Sequence, residues 1–285
     1  MTRAAVVGCG IMGSGITFVA RAAGFPVTAV EPSDELVAAA RERVGRHEVS
    51  ARKRGAELTD LAPLKMTTDL GAAVSGADVV VEAVPEDLDI KRRVFAEMGA
   101  AAGPETVLAS NTSGLPITEL AAASGRSDQV VGLHFFNPVP AMRLVEVVRA
   151  PDTTDATVRR GVEFARAVGK ETIEVRDMPG FVTTRLGTLL MCEAMRAYEQ
   201  GVARVEDVDT AMRLGYNHPM GPLELADRVG LDTVLFVLDD LREAYGEAFA
   251  PPDLLRRMVA DGKLGRKSGA GFYDYSSRAR SSGGP

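Results

Sequence analysis

One histidine of this chain lies where a proton-transfer residue would be useful. His134 ends an apolar run and precedes a loop with two prolines, within VVGLHFFNPVPAMRLVEVV (residues 130–148). A histidine ring can accept and donate a proton near neutral pH. Glu146, in the next apolar run, can hydrogen-bond the far ring nitrogen, fix the tautomer and stabilise the imidazolium form. The alternative is a structural histidine that packs against Phe135 and Phe136 with backbone partners.

A polar cluster, Ser110–Ser113, follows another apolar run and is a second candidate for substrate contact. Its hydroxyl and amide groups can bond a substrate oxygen and a bound cofactor, but these residue types also cap helices and form turns. Glu86 and Lys91 form either an ordinary surface pair or contacts to a cofactor. His47, on a polar helix, and His218, in a loop, are weaker candidates for proton transfer. No spacing of histidine and cysteine resembles a metal site, so we predict none.

The amino-terminal residues predict a dinucleotide-binding turn. An apolar strand, Ala4–Val7, leads into Gly8, Gly10 and Gly13, which form the pattern G-x-G-x-x-G, and a helix is predicted over Ile11–Ala23. The first glycine permits the tight turn, the second lets a pyrophosphate approach the backbone, and the third lets helix and strand pack closely. The helix N-terminus then faces the anion.

The acid that follows the next strand indicates which dinucleotide binds. The predicted strand Val27–Val30 ends in Glu31, and no arginine comes directly after it. A carboxylate there accepts both ribose hydroxyls of NAD and repels the 2′-phosphate of NADP. Because strand, helix, second strand and acid have the right offsets, we predict NAD binding. Ile11 and Met12, which open the helix, are included in the predicted cofactor site.

A basic cluster ends the second helix. Ser33 is a predicted N-cap, and the helix that follows it ends in Arg52, Lys53 and Arg54. Such a run is usually a solvated face. In a chain with a formal net charge of −6, a basic cluster near a nucleotide site can also bind a phosphorylated substrate. The residues alone favour neither interpretation.

The chain up to residue 181 alternates strands and helices. Apolar runs in ADVVVEAV, ETVLAS, QVVGLHFF, LVEVV and KETIEVR predict strands. This alternation predicts an α/β fold with a Rossmann-type, mostly parallel sheet. Ligands of such sheets bind beyond the carboxyl ends of the strands. The loops that begin near Glu82, Ser110 and His134 are therefore expected to converge on one crevice.

The character of the chain changes after DMPGFV, where helical periodicity replaces strand signals. We predict an NAD-binding domain over residues 1–181, an all-helical domain for dimerisation or substrate binding over 182–275, and a disordered tail over 276–285.

The composition limits the functional classes. A hydrophobic fraction of 46% and a charged fraction of 25% are typical of globular proteins. The net charge of −6 argues against a general nucleic-acid surface. Two cysteines cannot build a disulfide framework, and no apolar run approaches the roughly 20 residues needed to span a bilayer. We expect a soluble cytoplasmic protein with no nucleic-acid or membrane partner.

Several motifs in one order closely resemble the 3-hydroxyacyl-CoA dehydrogenases, in particular their short, single-function 3-hydroxybutyryl-CoA type. The motifs are GCGIMG, VVVEAVPEDLDIKRRVF, ASNTSGLPIT, HFFNPVPAMRLVEVV, PGFV, MGPLELADRVGLD and GRKSGAGFYDY. The family oxidises a (3S)-3-hydroxyacyl-CoA to the 3-ketoacyl-CoA with NAD, or runs the reverse reaction. The resemblance therefore implies an oxidoreductase with NAD as cofactor, an acyl-CoA substrate and a homodimer.

The resemblance also implies roles for individual residues. His134 corresponds to the catalytic histidine, Glu146 to its acidic partner, and Ser113 to the serine that bonds the substrate oxygen. Arg54 lies where the family has a lysine for coenzyme A, and Lys53 is included with it in the predicted coenzyme A site. The positions that correspond to further cofactor contacts are Glu86, Lys91, Ser113, Asn137 and Lys267.

One position departs from the family pattern. The family usually has PGF-x-x-N-R, whereas this chain has PGFVTTR, which puts Thr184 at the place of the asparagine. Threonine offers a shorter hydroxyl and no amide, so Thr184 is included among the catalytic residues and substrate preference stays open. The competing hypotheses are a dehydrogenase of a free hydroxy acid, of carnitine or gulonate type, and a cofactor-binding protein with little catalysis.

Overall fold

The computed structural model describes residues 2–56, 58 and 60–276. The tail predicted over 276–285 therefore lies, apart from Ser276, outside the described residues. The chain divides into two compact units between Phe181 and Val182. Within the described ranges, no helix is both long enough and apolar enough to cross a membrane.

The described residues of the first unit form an eight-stranded sheet. Its strands are β1 (Ala4–Val7), β2 (Val27–Val30), β3 (Leu64–Thr67), β4 (Val79–Glu82), β5 (Val107–Ser110), β6 (Val130–Phe135), β7 (Leu144–Arg149) and β8 (Glu171–Arg176). They are ordered β3-β2-β1-β4-β5-β6-β7-β8. Strands β1 to β6 are parallel, β7 runs antiparallel to β6, and β8 runs parallel to β7. The predicted α/β class with a mostly parallel sheet is confirmed.

Helices cover both faces of this sheet. They are α1 (Ile11–Ala22), α2 (Asp34–Lys53), α3 (Leu70–Ser75), α4 (Leu88–Ala101), α5 (Ile117–Ser124) and α6 (Asp155–Ala167). Because both faces are covered, alternate residues of one strand enter two separate cores. Val81 lies in one core with Ile16 of α1, whereas its neighbour Val80 lies in the other with Phe95 of α4. This double burial accounts for the unbroken apolar runs that predict the strands.

Polar N-caps fix where several helices begin. The side chains of Ser33, Asp69, Asp87 and Thr154 accept hydrogen bonds from backbone N–H groups in the first turns of α2, α3, α4 and α6. Each cap satisfies one of the four N–H groups that a helix N-terminus leaves unpaired, and the predicted cap at Ser33 is confirmed. Helix α1, whose N-cap residue is Gly10, has no side-chain cap. Its first N–H groups are left for water or a ligand.

Three features differ from the sequence-based expectations. Strand β3 and helix α3 were not predicted, and α1 ends at Ala22, one residue before its predicted end, with Ala23 as its C-cap. His134 lies within the predicted strand QVVGLHFF and is the second-last residue of β6. Strand β6 continues beyond Gly132, its last residue paired with β5, because β7 pairs with it as far as Phe135.

The second unit is helical, as predicted. Its helices are α7 (Thr183–Glu199), α8 (Val205–Gly215), α9 (Pro222–Val229), α10 (Leu231–Tyr245) and α11 (Asp253–Ala260). Two buried carboxylates fasten this unit together. Asp209 accepts hydrogen bonds from two N–H groups in the first turn of α9. Asp227 accepts them from the N–H groups of Phe272 and Tyr273 and so ties the segment after α11 to α9.

Candidate active site

The register of the sheet brings several predicted site residues to one edge. Val7 of β1 pairs with Glu82 of β4, Glu82 pairs with Ser110 of β5, and Ser110 pairs with Gly132 of β6. The carboxyl ends of these parallel strands lie side by side, which is where ligands of such sheets bind. His134, two residues beyond Gly132, is on the same edge. The loops after β1, β4 and β5 therefore leave the sheet beside His134.

The turn after β1 requires glycine at two positions. Gly8 has a φ of +82°, and a Cβ there would lie 2.8 Å from Ala83 O. A Cβ at Gly13 would lie 1.8 Å from Gly8 O, so only glycine lets α1 pack this closely on β1. Gly10 differs, because a Cβ there would meet no atom within 4 Å. The open space beside Gly10, at the uncapped start of α1, fits the close approach of a pyrophosphate.

Glu31 directly follows β2 and supports the same turn. Its Oε1 accepts a hydrogen bond from Cys9 N at 2.7 Å. Its Oε2 receives no hydrogen bond from any described residue, although the side chain as a whole is buried. Glu31 thus joins β2 to the glycine turn and keeps one carboxylate oxygen for a hydroxyl donor. An acid in this place binds an adenosine ribose in dinucleotide-binding folds.

His134 and Glu146 face each other directly across β6 and β7. His134 Nδ1 lies 2.7 Å from Glu146 Oε2, and the two residues are 6% and 0% exposed. Directly opposite residues of an antiparallel pair have Cβ atoms about 4.5–5.5 Å apart, so the strand pairing itself brings the side chains together. A carboxylate can only accept, so the neutral ring carries its proton on Nδ1. Nε2 is the nitrogen left for proton transfer.

Aromatic rings hold His134 in place. The ring centroids of Phe136 and Phe181 lie 4.4 Å and 5.9 Å from that of His134. These apolar faces restrict rotation of the imidazole and limit access of water to it. Of the structural alternative, the packing against Phe136 is present, whereas Phe135 lies in the core on the other face of the sheet and the partner of Nδ1 is a carboxylate rather than the backbone.

Glu86, in the loop after β4, organises the polar cluster after β5. Its Oε1 accepts hydrogen bonds from Ser113 N at 2.9 Å, from Ser113 Oγ at 3.3 Å and from Thr112 Oγ1 at 2.5 Å. Both the backbone and the hydroxyl of Ser113 are therefore fixed by one carboxylate. The side chain of Ser113 remains exposed at the edge of the sheet.

A buried ion pair lies next to Glu86. Lys91 Nζ is 2.6 Å from Glu82 Oε1 and 3.3 Å from Glu86 Oε2, and it donates to Val84 O at 3.2 Å. An ammonium has three N–H donors, and these three acceptors engage all of them. Lys91 is only 1% exposed, so it is not a surface residue. Burial raises the pKa of Glu82, while the hydrogen bonds from Lys91 and Ser110 act in the opposite direction.

The other predicted contacts of the first unit are more accessible. Asn137 is exposed in the loop between β6 and β7, and Ile11 is exposed beside the half-buried Met12 at the start of α1. Lys53 ends α2, and Arg54 follows it. Neither of these two cations forms an ion pair with a described residue. Their position is compatible both with a solvated face and with binding of a phosphate.

Thr184 and Lys267 belong to the second unit. Thr184 is the second residue of α7 and is half-buried. Lys267 follows α11, and its Nζ donates to Asp232 Oδ2 at 2.6 Å. Asp232 Oδ1 lies 2.6 Å from the same nitrogen, so the two carboxylate oxygens engage at most two of its three N–H donors and one remains for a ligand.

His47 and His218 have no comparable surroundings. His47 Nε2 lies 3.2 Å from Ser14 Oγ, and its ring stacks on Phe18. Burial lowers the pKa of His47, which favours the neutral ring. His218 contacts the ring of Tyr216. Across the residues that the structure covers, no group of three or more His, Cys, Asp or Glu side chains is placed to hold a metal ion.

Two family models match nearly all of the described chain. Residues 3–178 match the model described as "3-hydroxyacyl-CoA dehydrogenase, NAD binding domain", and residues 180–275 match the one described as "3-hydroxyacyl-CoA dehydrogenase, C-terminal domain". The chain belongs to the 3-hydroxyacyl-CoA dehydrogenase family. The resemblance inferred from the sequence motifs is confirmed.

Individual members of the 3-hydroxyacyl-CoA dehydrogenase family match over nearly the full chain. A 3-hydroxybutyryl-CoA dehydrogenase of Mycobacterium tuberculosis is 46% identical over 281 residues, which cover 96% of this chain and 98% of the relative. The mitochondrial hydroxyacyl-coenzyme A dehydrogenase of Homo sapiens is 41% identical over 282 residues, with coverages of 95% and 90%. The crystal structure of (S)-3-hydroxybutyryl-CoA dehydrogenase from Ralstonia eutropha matches with a TM-score of 0.91 at 37% identity, covering 96% of this chain and 99% of that chain.

Two residues near the candidate site, Asn111 and Glu82, have structural roles that were not predicted from the sequence. Asn111 Oδ1 accepts a hydrogen bond from Phe135 N at 2.9 Å, where the backbone ladder between β5 and β6 has ended. It fixes the backbone next to His134. Glu82 was treated only as the start of a loop, although a carboxylate in the apolar run VVVEAV already indicated a buried charge that needs a partner.

Proposed function

We propose that this protein catalyses the NAD-dependent oxidation of a (3S)-3-hydroxyacyl-CoA to the 3-ketoacyl-CoA, and the reverse reduction. The observation that carries the proposal is the His134–Glu146 pair at the carboxyl edge of the sheet. That edge also carries the glycine turn, whose shape fits a dinucleotide. Membership of the 3-hydroxyacyl-CoA dehydrogenase family supports the same reaction.

The proton is handled by His134. In oxidation, Nε2 of the neutral ring takes the proton of the substrate hydroxyl, and Glu146 stabilises the imidazolium that forms. Bound NAD supplies the acceptor for the hydride that leaves the adjacent carbon. In reduction, protonated His134 returns the proton to the developing alkoxide. Since Glu146 is already aligned with the ring, little reorganisation is needed during the reaction.

Further residues orient the substrate. Ser113 bonds the substrate oxygen, and Glu86 holds Ser113 in position. Thr184 contributes its hydroxyl to polar groups of the substrate in place of the asparagine usual in the family. Lys91 acts on this site through Glu86, because its three donors already have acceptors.

The cofactor is held by the glycine turn and its surroundings. The N–H groups at the start of α1 bind the pyrophosphate, and Glu31 accepts from the adenosine ribose and disfavours a 2′-phosphate. The residues that we assign to cofactor binding are Gly8, Gly10, Ile11, Met12, Gly13, Glu31, Glu86, Ser113, Asn137 and Lys267, with Lys91 as support.

We assign Lys53 and Arg54 to the phosphate groups of coenzyme A. Both side chains are exposed and lack ion-pair partners among the described residues. Two cations without a carboxylate partner among the described residues, in a chain of net charge −6, are well suited to an anionic substrate. A dehydrogenase of a free hydroxy acid, the competing hypothesis, would have no use for such a cluster.

Acetoacetyl-CoA is expected to oxidise NADH in the presence of this protein. Free acetoacetate should react with a kcat/KM at least about 100-fold lower, since two charge-assisted contacts of about 1.4 kcal/mol each correspond to that factor. The loss of NADH absorbance measures both rates. The double variant Lys53→Ala/Arg54→Ala should raise KM for the thioester and leave the rate with acetoacetate unchanged. Equal use of both substrates would contradict the coenzyme A assignment and favour a free hydroxy acid.

We propose a homodimer that forms through the second unit. Large apolar side chains are exposed there, among them Leu186, Val202, Leu214, Tyr216 and Phe236. Such side chains in one unit are a common mark of an interaction surface. Sedimentation equilibrium at micromolar concentration should give twice the mass of the chain, and a purely monomeric mass would contradict the proposal.

We also propose a cytoplasmic location. Cys9 and Cys192 are free and buried. Burial raises the pKa of Cys9 to about 11, so its thiol stays protonated. A fold with two buried free thiols in place of disulfides suits a reducing compartment.

A further inference from the structure

Lys170 is a buried cation outside the residues assigned to the reaction. It lies between α6 and β8 and is 8% exposed. Its Nζ donates to Val139 O at 2.6 Å and to Met142 O at 2.8 Å. No carboxylate of the described chain lies within ion-pair distance of this nitrogen, and burial lowers the pKa of the ammonium. A buried cation without a counter-charge costs free energy. Its hydrogen-bond acceptors among the described residues are these two backbone carbonyls.

Both carbonyls belong to the loop of residues 136–143, which joins β6 to β7. Two N–H groups of this loop donate to Pro138 O at 2.9 Å and 3.1 Å, which makes a tight turn. The loop begins two residues after His134 and ends three residues before Glu146. Its placement therefore affects the strands that hold the catalytic pair.

Helix α1 holds the same loop from a second direction. Val139 is 2% exposed, and a Cβ added to Gly15 of α1 would lie 2.8 Å from Val139 Cβ. The side chain of Val139 therefore packs directly on the backbone of the cofactor-binding helix. Its carbonyl binds Lys170 at the same time, so one residue links the ammonium to α1.

We propose that Lys170 is a positioning residue that fixes the 136–143 loop against α1 and thereby sets where Asn137 meets the cofactor. This inference rests on the proposed function, because it takes Asn137 as a cofactor contact. Lys170 acts through the carbonyls of Val139 and Met142 and touches no reacting atom. A purely structural lysine would affect stability alone, whereas a positioning lysine also affects cofactor affinity.

The variant Lys170→Met keeps the side-chain stem and removes both hydrogen bonds. We expect the Kd for NADH, measured by its fluorescence, to rise about tenfold and kcat/KM to fall about 10–100-fold, because a misplacement of about 1 Å can cost about 10²-fold. Lys170→Arg, whose fork can reach two carbonyls, should restore the Kd to within about threefold of wild type. Lys65→Met, an exposed lysine of β3, is the control and should leave the Kd unchanged.

A double variant tests the route of the effect. If Lys170 acts through the loop, adding Lys170→Met to Asn137→Ala should raise the Kd for NADH by no more than about twofold. If the Kd for NADH of the double variant rises by the product of the two single-variant effects, the proposal is overturned. A Lys170→Met variant with a normal Kd for NADH and only a lower melting temperature would overturn it as well. If Lys170→Met does not fold, Lys170→Gln, which can still donate to one carbonyl, is judged by the same comparison. A normal Kd for Asn137→Ala would refute this inference, while the reaction itself is tested separately through His134.

Discussion

Replacement of His134 by glutamine is expected to lower kcat by about 10²–10⁴-fold, the range that general acid–base catalysis contributes. Nδ1 of the ring is bound to Glu146 at 2.7 Å, so in the proposed reaction Nε2 is the nitrogen that exchanges a proton with the substrate. Glutamine is polar and similar in reach, but it cannot exchange a proton near neutral pH. The measurement is kcat for NADH oxidation by acetoacetyl-CoA. The melting temperature and the Kd for NADH serve as controls for folding and cofactor binding.

Glu146→Gln is the matched variant of the same pair. Its amide oxygen can still accept the Nδ1–H bond, but it carries no charge to stabilise the imidazolium. We expect a smaller loss of kcat than for His134→Gln, and the double variant should be no slower than His134→Gln alone, because both changes act through one ring. Retention of kcat within about threefold by His134→Gln would show that this ring does not move the proton.

Much of the first unit could be predicted from its apolar runs. The observed bounds of β1 and β2, Ala4–Val7 and Val27–Val30, are those predicted, because each run is continuous and ends at a glycine or an acid. Strand β3 was missed because it lies at the edge of the sheet, where none of its residues is fully buried and Lys65 is exposed. An edge strand has fewer neighbours to cover it, so its apolar signal is weak.

The direction of β7 was not predicted, although the short spacing between the apolar runs of β6 and β7 indicated it. Parallel neighbours need a crossover of about a dozen or more residues, and the 136–143 loop is shorter than that. The antiparallel pairing has a functional consequence, because it puts Glu146 directly opposite His134. The sequence therefore indicated the two residues, and the turn between them determines their contact.

The sequence indicated candidate site residues and one of their contacts, that of Glu146 with His134, but not the partners of Lys91. Lys91 follows Glu86 by five residues and was compatible with a surface pair, whereas its ammonium is enclosed by Glu82, Glu86 and Val84 O. Partners of buried charges depend on how a helix packs across the sheet, which local patterns do not specify. Lys170 illustrates the same limit, since nothing near it in sequence indicates that it binds the loop after β6.

The second large effect is expected from the buried pair of Glu82 and Lys91. Lys91→Met should lower the free energy of unfolding by about 3–5 kcal/mol, the cost of leaving one charge of a buried pair uncompensated. Glu82 is 0% exposed, so water cannot replace the missing ammonium. Urea unfolding at neutral pH measures the change. Lys65→Met, on the exposed edge strand, should stay within about 0.5 kcal/mol of wild type.

The pH dependence of this variant identifies the charge responsible. Burial raises the pKa of Glu82 in the folded protein, and without Lys91 nothing equivalent opposes it. The folded state then binds a proton more readily than the unfolded chain, so the variant should gain stability as the pH falls from neutral toward the unfolded value of about 4.3. Glu82→Gln/Lys91→Met carries no charge at either position and should recover most of the loss without that gain in acid. If the double variant were as unstable as Lys91→Met at neutral pH, the loss would come from packing of the lysine stem and not from the unpaired charge of Glu82.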